Sequence, residues 1–325
     1  MSNTVPVPFV PGLRVSAPGR PGMAGEFGEL LPFVSDATVT DVFAAANGVW
    51  VDRGRGAELQ ALRMSEARVR TLAVRLIAAG GRHVDEATPC VDVRIGDGIR
   101  VHAVLQPVAV AGTQLSIRLP AGAALDLAAL DSGGTFRHVG LPAIRRLVDE
   151  RVNTLITGAG GSGKTTLLAA MLGAVPAAER IITIEDVAEL RIRHPHVVAM
   201  QSRQANLEGA GEVTLERLVR EALRMRPDRL VLGECRGPEV REMLMALNTG
   251  HDGGAGTLHA NSLDDVAARL EALGALAGLS QEAMGRQVVS AIGAVVHVER
   301  REGWRGIVAL GRVVMRDGQL AVERQ

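Results

Sequence analysis

The stretch that decides the fold of this 325-residue chain is LITGAGGSGKTT, which runs from Leu155 to Thr166. It contains Lys164, and every other basic residue among the 36 counted as Lys or Arg is an arginine. From Gly158 to Thr165 the sequence fits the pattern G-x-x-x-x-G-K-[ST], between a run predicted as a strand and a run predicted as a helix. This order of strand, glycine-rich loop and helix is the setting in which the pattern binds phosphate groups.

The residue types of this loop have a direct physical explanation. Glycines let backbone N–H groups turn inward, and the N-terminus of the following helix adds a favourable dipole for an anion. A lysine is a compact charge on a thin stem, whereas an arginine is a broad planar fork for which a tight glycine loop has little room. We therefore predict that Lys164 reaches the β- and γ-phosphates of ATP and that the Thr165 hydroxyl ligates Mg²⁺. The predicted nucleotide contacts are Gly158, Gly160, Gly161, Ser162, Gly163, Lys164, Thr165 and Thr166.

Composition narrows the class of protein. Hydrophobic residues make up 47% of the chain and aromatic residues 2%, with no tyrosine, so the core is expected to be large and aliphatic. A formal net charge of +0 argues against a general nucleic-acid-binding surface. Two cysteines are too few for a disulfide framework and fit a reducing compartment. With no apolar run near ~18 residues and no signal peptide, the sequence predicts a cytoplasmic protein.

The pattern along the chain predicts two folded domains. Proline and glycine are concentrated in residues 1–33, which we interpret as a flexible arm. Residues 34–118 contain short strand-like runs with one helical run between them, which predicts a small α+β domain. Residues 119–139 are predicted to be a linker. In residues 140–325 strand and helix patterns alternate, and this alternation predicts an α/β domain with a mostly parallel sheet.

Two acidic stretches follow strand-like runs. RPDRLVLGECRG places Glu234 just after an apolar strand, where a carboxylate would lie near Mg²⁺ and the attacking water. ITIEDVAEL ends another strand with Glu185, Asp186 and Glu189. These three could simply begin a solvated helix, because carboxylates suit the dipole at a helix N-terminus. We assign water positioning to Glu185, with Asp186 and Glu189 as further candidates.

Two histidines lie in the glycine-rich stretch NTGHDGGAGTLHANS. Together with Cys235, His251 and His259 could be interpreted as metal ligands, but their spacing matches no standard zinc pattern. We predict instead that His259 senses the γ-phosphate, and that Cys235 is a small buried apolar residue.

In this order the four stretches resemble the Walker A, Asp, Walker B and His boxes of the ATPases of type II and type IV secretion systems. ALRMRPDRLVLGECRG and NTGHDGGAGTLHANS look most like the branch that drives tight-adherence (Tad/Flp) pilus assembly, close to the conjugal-transfer ATPases. The resemblance covers about residues 36–300. It implies a RecA-like P-loop NTPase domain preceded by a small α+β domain, and a homohexameric ring that hydrolyses ATP.

The resemblance also implies further roles. GDGIRVHAVLQPVAVAGTQLSIRLP looks similar to the region whose arginines approach the phosphates, which implies this role for Arg100 and Arg118. The chain would power pilus assembly or protein secretion, associated with the inner face of the cell membrane through inner-membrane platform proteins. The alternative is a RecA-like nucleic-acid translocase or conjugal DNA-transfer ATPase. Such a protein needs a basic groove and stacking aromatics, which this composition disfavours, so no direct contact with nucleic acid is expected.

Overall fold

The computed structural model describes residues 25–54, 56–96, 98–119, 125–205, 210–301 and 304–325. The chain divides into two compact units, Met1–Ala123 and Ala124–Gln325. Most of the predicted arm, residues 1–24, lies outside the described residues. Within the part of the chain that the structure describes, no helix is both long and apolar enough to cross a bilayer.

The smaller unit is an antiparallel sheet with one long helix on it, which confirms the predicted α+β class. The strands lie in the order β3-β2-β1-β6-β5-β4, and α2 packs on the sheet through its buried stripe. Its elements are a 3-10 turn (Gly28–Leu30), α1 (Leu31–Ser35), β1 (Asp41–Ala45), β2 (Gly48–Asp52), β3 (Ala57–Leu59), α2 (Glu66–Ala79), β4 (Cys90–Ile95), β5 (Ile99–Val104) and β6 (Gln114–Arg118).

The end of the predicted arm belongs to this domain, so the prediction of an arm through residue 33 is wrong for residues 25–33. Phe27 is 2% exposed and Leu30 is fully buried, and both join the core beneath α2. The proline and glycine content suggested a loose segment, but burying these two apolar side chains stabilises a short 3-10 turn and helix there.

The larger unit is an α/β domain built on an eight-stranded sheet, as the alternating pattern predicts. The strand order is β14-β13-β12-β7-β11-β10-β8-β9. Its elements are α3 (Leu127–Ser132), α4 (Leu141–Asp149), β7 (Thr154–Gly158), α5 (Lys164–Gly173), β8 (Ile181–Glu185), β9 (Val197–Gln201), α6 (Leu215–Leu223), β10 (Arg229–Cys235), α7 (Glu239–Leu247), β11 (Ala255–His259), α8 (Asp265–Leu276), α9 (Gln281–Ala291), β12 (Ala294–Arg301), β13 (Trp304–Arg316) and β14 (Gln319–Arg324).

The segment predicted as a linker is mostly folded, which corrects the predicted boundaries. Leu119 is buried in the core of the smaller domain. Leu127 and Phe136 are buried in the core of the larger domain, so that domain begins well before residue 140. Residues 120–124 lie outside the described residues.

Six strands of the larger sheet, β12, β7, β11, β10, β8 and β9, run parallel to one another. Because the carboxyl ends of parallel strands meet at one edge, the segments that follow β7, β8, β10 and β11 are collected there. These segments hold the glycine loop, the acidic stretches and the histidine that the sequence singles out.

Candidate nucleotide site

The glycine loop connects β7, in which all five residues are buried, to α5. Gly158 ends the strand at φ +152°, and a Cβ placed on it would lie 2.2 Å from the carbonyl oxygen of Val298. Gly163 caps α5 in the left-handed region at φ +106°. Neither position accepts a larger side chain without moving the backbone, which is why the loop can fold tightly against the sheet.

The loop fits a phosphate ligand by its donors and by its shape. Ser162 is 1% exposed, and its Oγ has no hydrogen-bond partner among the described residues. Nothing lies within 4 Å of a Cβ built on Gly161, so the loop is open on that side. Since buried hydroxyls in folded proteins are almost always paired, a phosphate oxygen would supply the acceptor that Ser162 lacks. Thr165 and Thr166 follow in the first turn of α5.

Lys164 is 6% exposed and lies back over the loop. Its Nζ donates to the carbonyl oxygens of Gly158 and Ala159, at 2.9 Å each. Burial lowers the pKa of Lys164, and the negative charge of Glu234 opposes this change. The ammonium therefore lies in the loop, within electrostatic range of Glu234 near the end of β10.

Amine labelling of Lys164 is expected to fall sharply when Mg-ATP binds. The chain has two amines, the N-terminal one with an ordinary pKa near ~8 and Lys164, so mild alkaline reagent forms at most two adducts. Phosphate oxygens would shield the ammonium and raise its lowered pKa, so less of the reactive neutral amine would be present.

Intact-mass spectrometry would count the adducts with and without nucleotide. Loss of ATP turnover should follow the Lys164 adduct, and N-terminal labelling serves as the internal control. Equal labelling of Lys164 at saturating Mg-ATP would contradict its assignment to the phosphates.

Glu234 lies near the end of β10 and is held from two sides. One carboxylate oxygen lies 2.7 Å from Nε2 of His259, and the other accepts a hydrogen bond of 2.5 Å from Arg236. The side chain is 22% exposed, so solvent reaches it. The structure therefore brings together two residues that the sequence assigned separately, Glu234 and His259.

His259 also contacts the glycine loop. It pairs with Gly158 across the ladder between β11 and β7, and a Cβ on Gly160 would lie 3.7 Å from its Cε1. Burial, followed by the positive charge of Lys164, lowers the pKa of His259. The neutral imidazole is thus favoured, and it links the loop to Glu234. Sensing of the γ-phosphate by His259 stays a prediction.

Glu185 is 6% exposed at the end of β8. Its carboxylate accepts backbone N–H groups from Glu189 at 2.9 Å and from Leu190 at 3.1 Å, which fixes the loop after the strand. A Cβ on Gly233 would lie 2.5 Å from its Cγ, so Glu185 packs directly beside β10. Asp186 accepts a hydrogen bond from the hydroxyl of Ser202. The observed contacts of Glu185 anchor the loop after β8. Its assignment to water positioning stays a prediction.

Arg100 and Arg118 face each other on neighbouring strands of the smaller domain, β5 and β6. Arg100 Nε lies 3.1 Å from a carboxylate oxygen of Asp92, and Arg118 Nε lies 3.1 Å from one of Asp41. Both guanidinium groups therefore have a carboxylate partner in their own domain. Their approach to the phosphates stays a prediction.

The sequence analysis did not identify two residues, Arg236 and Glu239, in the segment that joins β10 to α7. Arg236 contacts Glu234, and Glu239, 4% exposed, accepts the backbone N–H groups of Arg236 and Gly237 at 2.6 and 2.8 Å. A sequence signal existed for Glu239 alone: an acidic residue at the start of a helix can accept backbone N–H groups there.

No group of three His, Cys, Asp or Glu side chains in the described parts of the chain is arranged to hold a metal ion. His251 instead places its Nδ1 3.1 Å from the carbonyl oxygen of Ala246. Cys235 is buried against Met243, and burial raises the pKa of its thiol. His251 and Cys235 therefore contact other protein groups in this structure.

The fold and this site together define a P-loop ATPase with a RecA-like domain and a small N-terminal domain. The family model of the type II/IV secretion system proteins matches residues 25–301, and the chain belongs to that family. This finding confirms the resemblance that the four sequence boxes carry.

Individual relatives agree with this placement. A Mycobacterium tuberculosis protein named for conjugal transfer is 48% identical over 302 residues, which cover 90% of this chain and 86% of the relative. The type IV secretion system protein PtlH homolog of Bordetella bronchiseptica is 34% identical over 251 residues, covering 68% and 73%. The X-ray structure of the Legionella pneumophila ATPase DotB matches the fold with a TM-score of 0.62 at 19% identity, covering 89% and 80%.

Proposed function

We propose that this chain is an ATP-hydrolysing motor that powers a secretion or pilus-assembly machine. The observation that supports it most is the meeting of Lys164, Glu234 and His259, from three different segments, at one edge of a parallel sheet. Phosphoryl transfer requires positioning and charge stabilisation rather than covalent chemistry by the protein, and this set of groups supplies both.

Each residue has a defined part in this proposal. The loop amides, Ser162 and Lys164 hold the phosphates. Thr165 and Glu234 would hold Mg²⁺, in part through water, and the metal would neutralise developing phosphate charge. Glu234 orients the attacking water. Glu185 fixes the adjacent loop and is a second candidate for orienting the water. His259 reports on the terminal phosphate through its contact with Glu234.

Arg100→Ala and Arg118→Ala are expected to lower kcat more than they lower nucleotide affinity. An arginine that meets the transition state contributes on the order of 10³ in rate, whereas ground-state binding has many other contacts. Steady-state turnover and equilibrium ATP binding would separate the two effects. Arg63→Ala, which removes an arginine bonded to the backbone carbonyls of Gln60 and Leu62, is the matched control in the same domain. Equal losses of rate and affinity would indicate a structural role.

We propose a homohexamer that is stabilised by nucleotide. The resemblance to the family implies that a ring brings arginines to each site and that rotation of the domains performs mechanical work. Light scattering should show a mass near six chains in Mg-ATP and a smaller mass without nucleotide. A monomer at high protein concentration with saturating Mg-ATP would contradict the ring.

The machine is proposed to lie at the inner face of the cell membrane, where platform proteins anchor this cytoplasmic motor. The family and the type IV secretion relative support this class of machine. Its finer placement in the tight-adherence branch rests on the two quoted sequence boxes. Adjacent genes for a pair of multi-span platform proteins and a small pilin would support a role in pilus assembly. Stimulation of ATP turnover by such platform proteins in vesicles would test the function directly.

A conjugal DNA-transfer ATPase is the second candidate, because the relative at 48% identity is named for conjugal transfer. A net charge of +0 and an aromatic content of 2% disfavour direct DNA binding. Single-stranded DNA should therefore leave ATP turnover unchanged. Clear stimulation by DNA would reverse the order of the two candidates.

A further inference from the structure

Arg236 occupies a position next to the candidate site that the roles given above do not use. Its guanidinium bonds Glu234, Glu234 lies 2.7 Å from His259, and His259 lies against the loop at Gly160. A continuous series of contacts thus joins Arg236 to the phosphate-binding loop.

The backbone of Arg236 is fixed while its side chain is exposed. Glu239, almost fully buried at the start of α7, accepts the N–H groups of Arg236 and of Gly237. The side chain of Arg236 is 55% exposed. A long, exposed side chain on a fixed backbone can exchange partners without refolding the loop.

The charges around His259 favour an anion. Lys164, Arg236 and Arg269 each act on His259 as positive charges, and Glu234 acts as a negative one. Arg269 donates to the backbone carbonyl of His259, whereas Arg236 bonds a carboxylate. A phosphate carries more charge than a carboxylate and accepts the same fork of N–H groups, so it competes directly for Arg236.

We infer that Arg236 is a sensor of the terminal phosphate, which leaves Glu234 for the γ-phosphate of bound ATP and thereby releases Glu234 to orient water. This inference rests on the proposed function, because it assigns Glu234 to hydrolysis. ADP lacks the γ-phosphate, so in the ADP state Arg236 keeps Glu234 as its partner. The exchange links the release of Glu234 to binding of the triphosphate.

The variant Arg236→Ala tests this inference with two nucleotides. Binding of the non-hydrolysable analogue Mg-AMPPNP should weaken by about tenfold or more, the usual effect of losing one charge-assisted contact, whereas binding of Mg-ADP should not change. Turnover should fall by about 10²-fold. Arg236→Lys keeps the charge and should recover part of the analogue affinity. A purely structural role would change both affinities together.

The controls separate this inference from the function on which it rests. Arg316→Ala removes an exposed arginine that bonds Glu323 at 2.7 Å, on the terminal hairpin, and should leave binding and turnover unchanged. Absence of Mg-ATP turnover in the wild-type chain would contradict the proposed function. An active wild type with equal losses of AMPPNP and ADP affinity in Arg236→Ala, or with unchanged turnover, would overturn the sensor alone.

The movement of Arg236 from Glu234 to the phosphate also predicts a specific effect of a double substitution. In Glu234→Gln the guanidinium loses its carboxylate partner, so AMPPNP should bind severalfold more tightly than to the wild type. Adding Arg236→Ala to that variant should abolish the gain, since no arginine remains to move. If the two substitutions change AMPPNP affinity additively, the exchange between Glu234 and the phosphate does not occur.

Discussion

Glu234→Gln is expected to lower kcat by about 10²–10³-fold while ATP still binds. The carboxylate lies near the end of β10, contacts His259 and is electrostatically coupled to Lys164. A glutamine keeps the size and one acceptor oxygen but loses the charge and the basicity that water activation requires. Phosphate contacts through the loop and Lys164 remain, so affinity should be at least that of the wild type.

Single-turnover hydrolysis and equilibrium binding of Mg-ATP would measure the two quantities separately. Glu282→Gln is the matched control, because Glu282 is an exposed carboxylate on α9 paired with Arg286. Unchanged turnover in Glu234→Gln would remove this residue from the chemistry and leave Glu185, with Asp186 and Glu189, as the candidates for positioning water.

The largest stability effect is expected for Arg229→Ala, about 3 kcal/mol in the free energy of unfolding of the larger domain. Arg229 is 3% exposed; it bonds Glu179 at 2.6 Å and the carbonyl oxygen of Val148 at 2.9 Å. Truncation leaves the mostly buried carboxylate of Glu179 with the longer 3.4 Å contact to Arg151. It also removes one donor from the carbonyl of Val148, which keeps the 3.3 Å bond from the N–H of Arg151. Removing one partner of a buried pair costs more than the pair contributes.

Urea unfolding followed by tryptophan fluorescence would measure this effect. The two tryptophans lie in different domains, Trp50 in the smaller and Trp304 in the larger, so a Trp50→Phe background reports on the larger domain. Arg286→Ala breaks an exposed pair of similar length, 2.6 Å, and should change stability by less than about 0.5 kcal/mol. A similarly small effect of Arg229→Ala would show that water replaces the lost contacts.

The nucleotide loop was predictable because its chemistry is local. The glycines, Lys164 and Thr165 are adjacent in sequence, and alternation of strands and helices predicts that the ends of the parallel strands share one edge of the sheet with them. Glu234 and His259 could therefore be predicted to lie near the loop, and the structure brings them together, whereas their catalytic roles stay predictions. Arg236 could not be identified in this way, since its significance lies in the partner of its side chain rather than in any sequence pattern.

Tertiary contacts also explain two segments that are ordered although their local sequence disfavours this. The helix α9 contains Gly285, which lowers helix propensity, yet the helix forms because it buries Met284, Val288 and Ala291. Phe27 and Leu30 lie beside a proline-rich segment whose composition predicts a loose arm, but the core under α2 buries both. In both cases burial outweighs local preference.

Because the side chain of Lys164 is covered, proteolytic cleavage after this residue can measure local opening of the glycine loop. A lysine-specific protease has one bond to cut, between Lys164 and Thr165, and would yield fragments 1–164 and 165–325. That bond lies in the first turn of α5, and the lysine side chain is folded over the loop carbonyls. Proteolysis of the native protein therefore requires transient fraying of this turn, and its rate measures how often the loop opens.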